Sequence, residues 1–146
     1  VGAHPDKNYF HKCVQYIEEN NLSKSVSFFP KKSSEEISKL MNEAKILLMA
    51  STSEGLPRVL IESGLCGLPA LASKIDGIEQ PFSTEGGTSI YNLLNNDEFE
   101  KLINKLYFDE KFWNKQSIES EKLSLRLSGH RNFANNWKKL VEMIDE

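Results

Sequence analysis

Two short apolar runs, Ile46-Leu47-Leu48-Met49-Ala50 and Pro69-Ala70-Leu71-Ala72, constrain the fold of this chain most. Neither alternates apolar with polar residues, so neither suits a sheet with one wet face. Unbroken runs of this length, bounded by turn residues, belong to parallel strands covered on both sides. A third run of the same kind is Val26-Ser27-Phe28-Phe29, and a short final strand is expected over Thr88–Tyr91 after the Gly86-Gly87 turn. Parallel strands need crossover helices, and the intervening segments supply them. Phe10, Cys13, Val14 and Ile17 form one apolar stripe at helical spacing, and Ile37, Leu40, Met41 and Ala44 form another. Ser33 with Glu36 three residues later is a capping box and fixes where the second helix starts. Alternating strands and helices with right-handed crossovers give an α/β fold with a doubly wound, mainly parallel sheet.

From Asp97 onward the pattern turns helical. Phe99, Leu102, Ile103 and Leu106 make one stripe, residues 112–127 a further helix ending near Ser128-Gly129, and Phe133, Trp137, Leu140, Val141 and Ile144 a last stripe. With 146 residues and no repeat, low-complexity tract or linker, residues 1–146 are expected to form one domain with C-terminal helices. The chain opens without Met, in Val1-Gly2-Ala3-His4-Pro5, as the tail of a strand running into a turn. It is therefore expected to be part of something longer, with the missing part upstream.

Composition excludes several classes. There are 18 Lys and Arg against 21 Asp and Glu, a net charge of −3, which disfavours a nucleic-acid partner. Cys13 and Cys66 lie in apolar helical contexts without metal spacing and are expected to be reduced core residues, as in a cytoplasmic protein. No apolar run approaches the roughly 20 residues of a membrane span. His4, His11 and His130 are scattered, with no two-His metal spacing and no nucleophile beside them. Trp113 and Trp137 sit on helical stripes and suit packing better than sugar stacking. Lys122, Arg126, Arg131, Lys138 and Lys139 make the tail locally basic, by default a solvated face.

The functional signal lies in Ser53-Glu54-Gly55-Leu56-Pro57-Arg58-Val59-Leu60-Ile61-Glu62. The preceding apolar run is a strand, Gly55 and Pro57 mark a turn, and Pro57 suits the first position of a helix. Glu54 then stands on the loop at a strand's carboxyl end, and Glu62 about a turn and a half into the helix. Ligands of open α/β sheets gather at that edge. Amides of a helix's first turn attract phosphate, and an ionised carboxylate accepts paired hydrogen bonds from vicinal hydroxyls. Together these point to a sugar phosphate or a nucleotide sugar.

The segment resembles the donor-binding signature of retaining glycosyltransferases of family four. There, two Glu separated by seven residues precede a small-residue stretch and a Gly-Pro-strand continuation, here Ser63-Gly64-Leu65-Cys66-Gly67-Leu68-Pro69-Ala70-Leu71-Ala72-Ser73. The likeness extends to the Gly turn at Gly2, to Phe29 and Pro30 at a strand end, and to the loop Asp76-Gly77-Ile78-Glu79, covering nearly the whole chain. It implies the Rossmann-like, C-terminal lobe of a GT-B enzyme, whose N-terminal acceptor domain lies outside this chain. Under that resemblance Glu62 holds the ribose hydroxyls, while Glu54 orients the sugar and steadies charge at the anomeric carbon. The backbone of Gly55, Leu56, Arg58 and Val59 meets sugar hydroxyls or diphosphate. Phe29 and Pro30 present main-chain groups to the base, and Gly2 lets the backbone turn close to the nucleotide.

The resemblance also implies a nucleotide sugar as substrate and a hexose passed to a glycan or glycolipid acceptor. No Asp-x-Asp metal motif is present, and the implied mechanism uses no metal or cofactor. The cations that neutralise the diphosphate belong upstream of Val1, and any peripheral contact with the inner membrane belongs to the missing lobe. Two other classes fit the same scaffold, a nucleotide-sugar 2-epimerase and a non-catalytic binding module. The first would need acid/base groups on the missing lobe, and retention of both Glu54 and Glu62 weighs against the second.

Overall fold

The computed structural model describes residues 6–75, 78–84 and 86–129. The Gly2 turn, Asp76 and Gly77 of the later loop, and the stripe through Phe133 and Trp137 lie outside them. The chain forms two compact units, residues up to Ile37 and residues from Ser38 onward.

The first unit carries α1, Lys7–Glu19. Its start is fixed by Asp6, whose carboxylate accepts a hydrogen bond from the Tyr9 amide at 2.9 Å and so satisfies one orphan donor of the first turn. Phe10, Cys13, Val14 and Ile17 are half-buried along its inner stripe, and the Phe10 ring meets Phe28 edge-on at 4.9 Å. The expected strand over residues 26–29 does not form: the segment is irregular, and Val26, Phe28 and Phe29 stay exposed. A strand exists only through ladder hydrogen bonds to a neighbour, which an apolar run by itself cannot announce. Helix α2, Ser34–Glu43, begins as its capping box requires. The Ser33 amide donates to Glu36 Oε2 at 2.9 Å, and the Glu36 amide to Ser33 Oγ at 3.3 Å.

The second unit is built on a parallel sheet ordered β1-β2-β3, with β1 Leu47–Met49, β2 Ala70–Ser73 and β3 Thr88–Tyr91. Leu48 faces Leu71 and Ala72 faces Ile90 in register. Period-two alternation along β2 sends Ala70 and Ala72 to one core, with Met49, Leu60, Ile78, Phe82 and Leu123, and Leu71 to the other, with Tyr91 and Leu106. Both faces of the central strand are covered, as its unbroken run implies. β1 departs from that expectation: Leu48 is exposed, so that strand is covered on one face only despite an equally unbroken run.

Helix α3, Arg58–Leu65, lies between β1 and β2. An irregular helical turn, Glu79–Ser83, buries Phe82 between β2 and β3. After β3 come α4, Asn96–Phe108, and α5, Glu110–Ser128, capped by Asn95 and Asp109. The expected stripe of Phe99, Leu102, Ile103 and Leu106 packs on the Leu71 side. Gly129 closes α5 in extended geometry, φ −70° and ψ 125°, rather than as a left-handed cap. Gly87 has a φ of +63°, and a Cβ there would meet Glu119 at 2.9 Å, so the turn before β3 demands glycine. Trp113 acts as an anchor: its indole N–H donates to the Lys45 carbonyl at 2.7 Å. Cys13 and Cys66 are free thiols, half-buried rather than fully in a core. Among the described residues no helix is long and apolar enough to cross a membrane.

Candidate functional site

In a parallel sheet every carboxyl end falls on one edge, and the loops leaving that edge can converge. The loop leaving β1 is pinned there. Ser73, fully buried at the end of β2, donates its hydroxyl to the Ser51 carbonyl at 2.5 Å. The Lys74 amide in turn donates to the Tyr91 carbonyl at 2.7 Å, joining the ends of β2 and β3. On this frame the Ser51 hydroxyl donates to Glu54 Oε1 at 2.8 Å, which holds an exposed carboxylate by one oxygen and leaves the other without a hydrogen-bond partner among the described residues.

Gly55 and Leu56, which follow Glu54, are open, whereas Pro57 is buried. A Cβ on Gly55 would meet nothing within 4 Å, and Leu56 is exposed. Pro57, expected as the first helical residue, stands one place earlier, at the cap, with φ −73° and no side-chain hydrogen bond. Its carbonyl takes the Leu60 amide at 3.0 Å. That leaves the Arg58 and Val59 amides without an intrahelical acceptor among the described residues. The first turn of α3 holds no acidic residue, whereas α2 carries Glu35 and Glu36 there and α4 carries Asp97 and Glu98. Its positive dipole end is therefore uncompensated within the helix and is free to meet an anion.

The orientation of α3 follows from what it buries. Leu60, Ser63 and Gly64 face inward, and Gly64 sits so close to α5 that a Cβ would collide with Ser124 Oγ and lie 2.6 Å from the Ser120 carbonyl. The opposite face carries Arg58 and, four residues on, Glu62, both exposed. Glu54 thus leaves the carboxyl edge on the β1 loop, and Glu62 lies just over one turn into the helix that starts from that loop. Phe29 and Pro30 are exposed in the first unit, with the Lys32 ammonium 5.5 Å from the Phe29 ring centroid. Gly2 lies outside the described residues.

Three contributors escaped the sequence reading: Ser51, Ser73 and Lys74. Ser51 precedes Glu54 by three residues, a spacing that permits a local hydroxyl–carboxylate bond. Ser73 carried no signal apart from ending an apolar run. Lys74 places an ammonium 3.4 Å from Glu79, the acid of the later loop, with both side chains largely exposed. On the third loop the Asn92 amide donates to Glu98 Oε2 at 2.8 Å and the Leu94 amide to Asn92 Oδ1 at 3.0 Å, presenting Leu94 almost fully to solvent.

Comparison with known proteins gives the family and the fold. The profile of the family described as glycosyl transferases group 1 matches residues 1–123. An uncharacterized glycosyltransferase of Methanocaldococcus jannaschii is 27% identical over 139 residues, covering 84% of this chain and 39% of that protein. Among solved structures, Anabaena HepE in complex with UDP and glucose superposes with a TM-score of 0.81 at 20% identity, covering 95% of this chain and 39% of that one. Sucrose-phosphate synthase of Thermosynechococcus elongatus gives 0.82 at 18% identity, covering 98% and 37%. The Rossmann-like lobe of the GT-B architecture is thus the fold of this chain, which spans about two fifths of the length of these relatives.

Proposed function

The chain belongs to the glycosyl transferases group 1 family, and from that premise we propose that it forms the nucleotide-sugar side of a retaining glycosyltransferase. The observation that carries this reading is the uncompensated amino terminus of α3 at the carboxyl edge of the sheet, flanked by the exposed carboxylates of Glu54 and Glu62. An anion at the helix start and hydroxyls at the two carboxylates describe one ligand, a sugar joined to a nucleoside diphosphate. That HepE was solved with UDP-glucose supports the ligand class.

In this reading Glu62 accepts both ribose hydroxyls, and the Arg58 and Val59 amides, with the backbone of Gly55 and Leu56, meet diphosphate and sugar hydroxyls. Glu54, steadied by Ser51, lies against the sugar. Gly2, Phe29 and Pro30 take their nucleotide and base roles from the resemblance alone. The bond from the anomeric carbon to the diphosphate oxygen breaks as an acceptor hydroxyl oxygen bonds to that carbon from the same face, and the acceptor's proton passes to the departing diphosphate. Helix amides stabilise the leaving charge, and Glu54 steadies the positive charge on the sugar. The acceptor, a glycan or glycolipid, is supplied by a second lobe. A hexose is the sugar this reading expects, and the cytoplasm the compartment.

The test is turnover by the full-length protein against a panel of UDP-, GDP- and ADP-hexoses, with the product's anomeric configuration read by NMR. Transfer with retention from one of them is expected. Inversion, or interconversion of the nucleotide sugar without transfer, would overturn the reading.

A further inference from the structure

The opposite edge of the sheet carries an open surface cavity of about 480 Å³, lined by exposed residues and the half-buried Trp113, that the donor site does not use. It lies at the amino end of β1, where Lys45 leads into the strand, and at the junction where α4 ends at Phe108 and α5 begins at Glu110. Its size falls within the range of small-ligand sites, about 300–1,000 Å³.

Three aromatic rings line it. Tyr107 and Phe108 stand edge to face with centroids 4.9 Å apart, and Phe108 is 77% exposed, a large apolar ring left in water at a helix end. Trp113 is held in place by its hydrogen bond to the Lys45 carbonyl, while the Lys45 ammonium sits 4.8 Å from the Tyr107 ring centroid. The remaining lining is Ala44 and three polar residues, Glu43, Glu110 and Asn114. All three are exposed, and among the described residues none of their side chains has an ion pair or a side-chain hydrogen bond.

This mixture selects its ligand. Two carboxylates against one lysine disfavour a phosphate or nucleotide. A lining that is half polar disfavours an apolar peptide, whose burial would strip those groups of water without replacing their hydrogen bonds. A neutral polyhydroxyl ligand satisfies both demands, since the C–H face of a pyranose can lie on an aromatic ring while its hydroxyls meet carboxylates and an amide. We propose that this cavity is a second carbohydrate subsite, holding a neutral oligosaccharide segment at the sheet edge opposite the donor site.

The proposal goes beyond the transferase reading and is tested apart from it. Maltohexaose, cellohexaose and laminarihexaose are titrated into the full-length protein by calorimetry and saturation-transfer NMR, with free UDP titrated in parallel. The same is done for Phe108→Ala and Tyr107→Ala, whose exposed rings can be truncated without emptying a core. At least one hexasaccharide is expected to bind, and the double variant to lose about tenfold or more of that affinity with UDP binding unchanged. Three results would each overturn the proposal: no binding of any hexasaccharide, binding indifferent to both substitutions, or complete displacement of the glycan by UDP. A change in oligomeric state on Phe108→Ala without loss of glycan affinity would also overturn it, showing a protein contact instead. Failure of UDP itself to bind would count against the donor reading alone.

Discussion

Glu62 is exposed on the outward face of α3, so its carboxylate can be changed without disturbing what the helix buries. Glu62→Gln in the full-length enzyme keeps size and removes charge from a group proposed to face the ribose diol. A charge-assisted hydrogen bond contributes about 1.5–3 kcal/mol, so affinity for free nucleoside diphosphate should fall roughly ten- to a hundredfold with little change in stability. Glu54→Gln should depress turnover more than nucleotide affinity, because its proposed partner is the sugar at the reacting carbon. Calorimetry on both variants separates the roles, and a reversed pattern would exchange the assignments. Gly64 tests the scaffold behind them. Alanine is the better helix former by about 1 kcal/mol, but a Cβ there meets the Ser120 carbonyl at 2.6 Å, a backbone atom that cannot swing aside. Overpacking of this kind costs about 1–3 kcal/mol and more when backbone must shift. Gly64→Ala should therefore be net destabilising in chemical denaturation, and removing the Ser124 hydroxyl in addition should not restore stability, because the carbonyl remains.

At the scale of elements, the start of α2 has a definite pH response. The Lys32 ammonium, 2.8 Å from Glu36 Oε1, together with the Ser33 amide and hydroxyl, holds the Glu36 carboxyl down to about 2 from its ordinary 4.5. A depressed folded-state value means the cap contributes fully above pH 4.5, and its contribution is lost as pH falls from 4.5 through about 2. Carboxyl-carbon NMR should show Glu36 titrating well below its ordinary 4.5. The group is solvent-exposed, so raising salt to about 1 M should move it back toward 4.5. A midpoint near 4.5 at low salt would show that the capping bonds do not persist in solution. This cap was legible in the sequence because Ser33 and Glu36 act locally, Thr88–Tyr91 because the Gly86-Gly87 turn announces it, and the Leu71-side stripe of α4 because periodicity encodes which face is buried. Residues 26–29 misled, since a ladder partner is a non-local fact. Glu54 and Glu62 were visible as a motif, whereas Ser73, which anchors the loop beneath Glu54, joins segments 22 residues apart and leaves no local trace.

At the scale of the whole molecule, the chain spans about two fifths of its relatives, and the proposed reaction needs more than the described residues provide. The carboxyl edge supplies helix amides, two carboxylates and the Lys74 ammonium, and that ammonium is already 3.4 Å from Glu79. Stabilising a departing diphosphate is an electrostatic task in which removing a single preorganised donor can cost about a hundredfold or more in rate. Positioning an acceptor contributes several kcal/mol on top of that. The 146-residue chain by itself is therefore expected to fold cooperatively and to show a rise in Tm with millimolar nucleoside diphosphate, while transferring no sugar to added acceptors. Circular dichroism melts with and without UDP, together with a radiolabel transfer assay beside the full-length enzyme, check both halves. Sugar transfer by the short chain at a rate near that of the full protein would mean that the edge described above is catalytically sufficient, and the proposed division of labour between two lobes would have to be abandoned.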